Sequence, residues 1–407
     1  MTIIRKTEKR QLSILCIIGE DDNLPSGKNK NSSSHRKVLH SLYDNVYEMY
    51  FYGKQDYSFN PETRYVFSEK KTSISKFFNL ISGYNSVFCP LRLKDIYQII
   101  NRFNIDLVYI DDSVNGKVIK RIKSKYPNLP IVAFFHDIEA QLMKEQMKKL
   151  KLRIPSQWGR LLSLFIMVRN EHLTVRYADA TIVLNSRDAQ LYRTIYGQEA
   201  SIKIPVAVEN CYTPKQSIAG IGDKLKIFFL GVWYAPNIEG IRWFIKYVMP
   251  LLKIPYELII AGNGMDKLAS EYSDYRIKIY GRIDDLSSIY EEVDVVIAPI
   301  FSGGGMKVKT AEAFSYGKAF VGSQESLLGY EENIDDKLWK NKIFRCCSAE
   351  HFAEALNSIY NDKAILKYNV DIRKLYEEFY SIKAIEMQYK KIIEETFDNL
   401  DKQKRLD

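Results

Sequence analysis

Short apolar runs alternate with helix-length segments along nearly the whole chain, and few architectures accept that pattern. In the first half the runs are LSILCIIG, VYEMYFYG, DLVYIDD, IVAFFHD and ATIVLN, separated by stretches such as KDIYQIINRFN and the long segment from Glu139 to Tyr177. The pattern restarts in the second half with KIFFLG, YELIIAG, IKIYG, VVIAPI and AFVGS, each followed by a turn signal and a helical segment. Strands alternating with helices pair in parallel, with helices covering both faces of the sheet. The expectation is two successive α/β units, and a length of 407 residues is enough for each to bury its own core.

The segment AVENCYTPKQSIAGIGDK has a proline, two glycines and polar residues without periodicity, the composition of a linker. It divides the chain into a first domain of residues 1–206, a linker of 207–224, a second domain of 225–380, and a C-terminal helix and tail of 381–407. In that tail Ile382, Ile385, Tyr389, Ile392 and Ile393 recur at helical spacing, which predicts a helix laid across a domain face. The low-complexity run KNKNSSS at Lys28 to Ser34 is expected to be a mobile loop.

A hydrophobic fraction of 46% with 27% charged residues excludes disordered and fibrous classes. The N-terminal MTIIRKTEKRQLSILCIIGEDD has a short apolar run ending in acids, so it is expected to be a first buried strand and not an export signal. The longest apolar stretches, LLSLFIMV from Leu161 and VDVVIAPIF from Val293, are too short to cross a bilayer. Cys16, Cys89, Cys211, Cys346 and Cys347 show no CxxC spacing, which suits reduced thiols in a cytoplasm and no zinc site. A net charge of +9 favours an anionic partner, and nucleotide phosphates, anionic lipids and nucleic acid all qualify. Nucleic acid is disfavoured, because the basic residues are scattered and lack an aromatic platform motif.

Chemistry concentrates in VVIAPIFSGGGMKVKTAEAFSYGKAFVGS, read as a buried strand, three glycines, a helix of about three turns and another strand. Gly303, Gly304 and Gly305 let the backbone approach a ligand, and the first N–H groups of the following helix have no internal partner, so the loop suits phosphate. Lys307 and Lys309 fall in the first turn of that helix, where the macrodipole disfavours cations by roughly 0.3–1 kcal/mol each unless an anion is bound. Glu312 follows near the same end and is placed to accept hydrogen bonds from a ribose diol.

The run from FLGVWYAPNIEGIRWF through IIAGNG, IYGRIDDLSSIYEEVDVVIAPI and GGGMKVKTAEAFSYGKAFVGS resembles the retaining nucleotide-sugar transferases of glycosyltransferase family 4, over nearly all of Lys226 to Ser323. The resemblance implies a GT-B fold, two Rossmann-like domains with a cleft between them. It makes Arg282 and Ile283 nucleobase-side residues, and Glu312 the acid that holds the ribose. Gly303, Gly304, Gly305, Met306, Lys307 and Lys309 complete the implied donor site. Two departures stand out. Gly304 occupies the place of the family's first acid, and Val232, Trp233 and Tyr234 follow Gly231 where an Arg and a Lys usually hold the diphosphate. A branch of the family has the GGG-x-K-x-K-x-x-E form, and there the lysines supply the missing positive charge.

The first half is matched in order along the chain, by FFHDIEA and by NEHLTVRYADATIVLNSRDAQLY. The resemblance places His136 in the cleft against the transferred sugar, and SSSHRKVLH in the place of a Gly-rich loop and an Arg-bearing helix, with Arg36 toward a phosphate. It further implies a hexosyl-type transfer with retention, in which the leaving diphosphate takes the acceptor proton while Lys307, Lys309 and the helix N-terminus absorb its charge. Asp111–Asp112 and Asp284–Asp285 are read as strand-end and helix-start acids, so neither a metal nor a cofactor is expected. The expected partners are a nucleotide-sugar donor and a saccharide or lipid-linked acceptor, in the synthesis of cell-surface polysaccharide or glycoconjugate. Two other readings stay open, a nucleotide-sugar 2-epimerase and a non-catalytic glycosyltransferase-like partner. Finally, Lys144, Lys148, Lys149, Lys151, Arg153 and Arg160 lie beside an apolar stripe of Trp158, Leu161, Leu162, Phe165 and Ile166, which suits peripheral contact with an anionic membrane at its cytoplasmic face as well as burial in the domain core.

Overall fold

A computed structural model describes residues 10–19, 27–51, 63–66, 82–84, 92–148, 158–209, 222–362 and 368–404. The chain divides into two compact units, the first made of Met1–Leu24, Ser32–Ile204 and Glu386–Asp407, the second of Pro25–Asn31 and Pro205–Ile385. Each is an open parallel sheet of Rossmann type carrying helices, so the expected α/β architecture is what the chain adopts.

The strands of the first unit are β1 (Arg10–Ile18), β2 (Tyr43–Tyr50), β3 (Arg64–Val66), β4 (Leu107–Ile110), β5 (Ile131–Phe134), β6 (Ala180–Val183) and β7 (Ile202–Lys203), in the order β3-β2-β1-β4-β5-β6-β7. Its helices are α1 (Gly27–Leu42), whose first turn counts with the second unit, then α2 (Leu93–Arg102), α3 (Gly116–Lys125), α4 (Glu139–Lys148), α5 (Trp158–Tyr177) and α6 (Ser186–Tyr196). β4, β5 and β6 are buried at every position, as strands covered on both faces must be.

The second unit repeats the plan with β8 (Leu225–Leu230), β9 (Tyr256–Ala261), β10 (Ile277–Ile279), β11 (Val295–Ala298), β12 (Ala319–Ser323) and β13 (Ile343–Cys346), in the order β10-β9-β8-β11-β12-β13. The accompanying helices are α7 (Ala235–Trp243), α8 (Ser287–Glu292), α9 (Val308–Ser315), α10 (Gln324–Leu327), α11 (Asp336–Asn341), α12 (Ala349–Asn361) and α13 (Val370–Phe379). In both sheets the order of strands reverses beside the first one, between β1 and β4 and between β8 and β11. Open α/β sheets bind ligands outside the carboxyl ends of the strands at such a reversal.

The final helix, α14 (Ile382–Lys404), buries Ile385, Tyr389, Ile392 and Ile393 to 2% exposure or less. From Glu386 onward it packs on the first unit, where the Tyr389 hydroxyl meets His35 Nδ1 at 2.7 Å and the Tyr109 hydroxyl at 3.0 Å. Ala207 and Val208, placed in the linker by composition, are buried, and the Val208 N–H donates to the Tyr380 carbonyl at 2.9 Å. Most of the rest of that segment, from Asn210 to Ile221, lies outside the described residues.

Two expectations are corrected, the loop reading of KNKNSSS and the length of the helix after the glycines. KNKNSSS is not a loop but the first two turns of α1, and Asn29, Asn31, Ser32 and Ser34 are all buried. Serine and asparagine are poor helix formers because they compete for backbone hydrogen bonds, but here tertiary partners take up their side chains, as when Asn31 Oδ1 accepts the Ala207 N–H at 3.3 Å. The segment from Glu139 to Tyr177 holds two helices, α4 and α5, with 149–157 outside the described residues. The helix after the glycines, α9, has eight residues, about two turns and not three.

Candidate functional site

In the second unit the segment after β11 forms the cluster that the sequence singles out. Gly303 and Gly305 take φ of +115° and +58°, which a residue with a Cβ rarely adopts. Lys307 is the extended residue just before α9. Its ammonium donates to the carbonyls of Gly304 and Gly305, both at 3.0 Å, and pairs with Glu325 Oε1 at 2.8 Å. It thus pins the glycine loop, while the Tyr330 hydroxyl holds the Lys307 carbonyl at 2.9 Å.

Lys309, in the first turn of α9, donates to Asn237 Oδ1 at 2.7 Å and lies 4.6 Å from the centre of the Phe229 ring. Asn237 in turn donates to the Val232 carbonyl at 2.9 Å, so α7 and the end of β8 fix the position of this cation. Burial and the neighbouring Lys307, opposed by Glu312, push the Lys309 ammonium down to about 7. Glu312 is buried to 7% exposure on α9, and its Oε1 accepts from the Lys30 ammonium. Met306 is buried at 6% exposure. Arg282 and Ile283 follow β10, with Arg282 exposed and its Nε bonded to Asp284 Oδ1 at 2.9 Å. β10 is the edge strand, three places from β11, which at ~4.8 Å per strand puts the two strand ends about 14 Å apart.

In the first unit a second polar cluster forms at the carboxyl ends of β1, β4 and β5. His136 follows β5, Asp111 follows β4, and Ser32 and Arg36 stand on α1. His136 Nε2 lies 3.2 Å from the Asp111 backbone oxygen and 3.4 Å from Asp111 Oδ1. A carbonyl only accepts, so the bond assigns the ring proton to Nε2 and makes Nδ1 the acceptor in the neutral imidazole. Asp111 Oδ2 accepts from Arg36 Nη1 at 2.8 Å and from the Ser32 hydroxyl. Burial raises the Asp111 carboxyl, but the His136 hydrogen bond and the Arg36 charge outweigh it and hold the group at about 2. Arg36 is not a surface cation: its side chain is 1% exposed and also pairs with Glu48 Oε1 at 3.3 Å. Glu48 is likewise held at about 2, where burial is outweighed by the His40 hydrogen bond and the charge of Arg36.

The structure therefore brings Gly303 to Lys309 and Glu312 together in one unit, sets Arg282 and Ile283 at its sheet edge, and places His136 in the other. Sequence reasoning missed Asn237, Glu325, Asp111 and Lys30. Asn237 was visible as the helix-start residue of YAPN, and Asp111 as an acid at a strand end. Among the described residues there is no group of three or more His, Cys, Asp or Glu side chains able to hold a metal, and no helix long and apolar enough to cross a membrane.

Two parallel Rossmann-like units, with polar clusters at the carboxyl ends of their strands, make the GT-B fold known from glycosyltransferases. Residues 224–362, about a third of the chain, match the model of the family Glycosyl transferases group 1. The likenesses among solved structures extend over both units. Anabaena HepE, solved in complex with UDP, superposes with a TM-score of 0.66 at 16% identity, covering 94% of this chain and 100% of that one. A glycosyltransferase from Rickettsia africae gives 0.66 at 14% identity over 96% of this chain and 100% of its own. WaaB, a lipopolysaccharide outer core galactosyltransferase solved in its apo form, gives 0.60 at 16% identity over 97% and 100%. No curated protein sequence matches the chain. At these identities the structural likeness carries the fold, and with the family model it supports a GT-B glycosyltransferase.

Proposed function

We propose that the protein transfers a sugar from a nucleotide-sugar donor to a saccharide or lipid-linked acceptor with retention, and that the second unit holds the donor. The observation that carries this reading is the convergence on α9 of a glycine loop with left-handed backbone, a helix N-terminus, a half-buried Lys309 and a buried Glu312, at the point where the strand order of the sheet reverses. In this reading the diphosphate sits on the loop and the α9 N-terminus, Glu312 takes the ribose, and the base extends toward Arg282 and Ile283 at the sheet edge. Lys309, whose ammonium is half neutral near pH 7, regains its full charge when the leaving diphosphate develops. Lys307 acts on the same group both directly and by holding the loop. His136, with Nδ1 as its accepting atom, is the residue this reading assigns to the transferred sugar, and the leaving phosphate, not a protein carboxylate, takes the acceptor proton.

The test is calorimetric titration of the purified protein with UDP, GDP and ADP, followed by release of free nucleotide from the matching sugar donors. Glu312→Gln should weaken binding of the nucleoside diphosphate by about 1.5–3 kcal/mol, the value of a charge-assisted hydrogen bond. Unchanged affinity in a folded variant would remove Glu312 from the site, and absence of nucleotide release with every donor would leave the protein a non-catalytic relative.

For the acceptor we favour the cytoplasmic face of a membrane. On α5 the side chains of Trp158, Leu162 and Phe165 are 65%, 42% and 66% exposed, and Met147 at the end of α4 is 49% exposed. Ile166 of the same stripe is buried at 5% and Leu161 is half-buried, so the stripe divides between core and solvent. Lys144 and Arg160 are exposed close by in sequence, whereas Lys148, Lys149, Lys151 and Arg153 fall outside what is described of the side chains. Exposed apolar groups next to cations suit an interfacial helix, with about 1 kcal/mol per Lys or Arg from anionic lipid. Sedimentation with anionic vesicles should show binding that weakens with salt and with Trp158→Ala plus Phe165→Ala. A protein that stays in the supernatant at low salt would point to a soluble acceptor.

A further inference from the structure

We propose that Lys30 is a displaceable counter-ion of Glu312: it pairs with the acid while the donor site is empty, and passes to the diphosphate when a nucleotide's ribose takes its place. This rests on Glu312 being the ribose acid.

The segment Pro25–Asn31 counts with the second unit, and its contacts there are specific. Asn31 accepts the Ala207 N–H, and Gly27 stands so close to Val308, the first residue of α9, that an added Cβ would lie 3.6 Å from its side chain. The first turn of α1 is thereby seated against the start of α9, and from it the Lys30 ammonium reaches Glu312 Oε1. The pair is unequal, since the Lys30 side chain is 46% exposed and that of Glu312 only 9%. The cation thus stands at the solvent side of the pair on a flexible four-carbon stem, and the acid is enclosed. The other two lysines of the cluster are already engaged, Lys307 with Glu325 and the loop carbonyls, Lys309 with Asn237.

A ribose diol donates to a carboxylate and must compete for the oxygen that Lys30 occupies. An ammonium that leaves a buried acid loses an ion pair, and only a new anion within reach compensates it. A nucleoside brings the diol alone. A nucleoside diphosphate brings the diol and the replacement anion together, at the α9 N-terminus beside which Lys30 is tethered. Lys30 would then make the site select nucleotides against nucleosides, by opposing every diol that arrives without phosphate.

The experiment compares binding of UDP, GDP and ADP with binding of uridine, guanosine and adenosine, for the whole chain and for Lys30→Met, Lys30→Gln and Lys30→Arg. For whichever base binds best, Lys30→Met and Lys30→Gln should lower diphosphate affinity by about tenfold to a hundredfold while nucleoside affinity holds or rises. Lys30→Arg should keep the wild-type preference. Equal loss of both ligands, or no change in either, would overturn the proposal and leave the pair a structural bridge. Glu312→Gln separates the two readings. If it weakens nucleoside binding while the Lys30 variants change nothing, only the role of Lys30 falls. If no nucleotide binds or Glu312→Gln is silent, the donor-site reading falls, and the role of Lys30 with it.

Discussion

Lys309 is an unusual group to find at the start of a helix, because burial and Lys307 hold it at about 7 while the dipole also opposes its charge. Its ammonium is depressed from the ordinary lysine value, so below pH 7 the folded chain carries the whole cost of charging it. That cost is relieved as pH rises from about 7 toward the unfolded value near 10.4. A bound diphosphate reverses the preference, so binding near pH 8 should take up a proton and nucleotide affinity should fall as pH rises above 7. Calorimetry in two buffers of different ionisation enthalpy measures that proton, and Lys309→Met should abolish it. Asp111 and His136 make a second testable pair. Asp111→Asn removes the charge that orients the ring, so turnover should fall, while nucleoside diphosphate binding to the other unit stays unchanged. A variant with unaltered turnover would show that Asp111 serves only to bury Arg36.

At the level of elements, the glycine loop and α9 act together. Gly303 at φ +115° has no heavy atom of another residue closer than 3.9 Å to where a Cβ would stand, so Gly303→Ala tests backbone strain and not crowding. The strain should cost about 1–3 kcal/mol, read by chemical denaturation, and should weaken nucleotide binding in proportion as the loop reshapes. Strongly patterned elements were legible from sequence. Every apolar run read as a strand in the two halves is one, because strands covered on both faces leave a continuous apolar signature. The short edge-side strands β3, β7 and β13 left no such trace, since β7 has two residues and β13 exposes one of its four. KNKNSSS misled for a different reason. Its helix is dictated by partners far away in sequence, Ser32 with Asp111 and Asn31 with Ala207, and no local propensity records them. Lys30, inside that run, was hidden by the same fact. The glycine loop, Lys309 and Glu312 could be read because a strand, glycines and a helix start are contiguous, whereas Asn237 and Glu325 reach them only through the fold.

Across the whole molecule, buried charge in the first unit sets its response to acid. Asp111 and Glu48 are both held at about 2, below their unfolded values, so each contributes stability above the unfolded range that is lost as pH falls from about 5 toward 2. Acid unfolding followed by fluorescence should therefore steepen in that window, and Arg36→Met should move the transition to higher pH. The helix α14 is the other global element. Tyr389→Phe leaves His35 and Tyr109 without their buried partner and should cost about 1–3 kcal/mol. The unit it completes is assembled from pieces that are far apart in the order of synthesis. The stretch from Glu386 emerges from a ribosome only after all of Pro205–Ile385 has appeared, so the second unit has its residues in hand while the first still lacks its last helix. A nascent chain should thus acquire nucleotide-binding competence before His35, Tyr109 and the surface around them are covered, and this open interval is when a chaperone has most to bind.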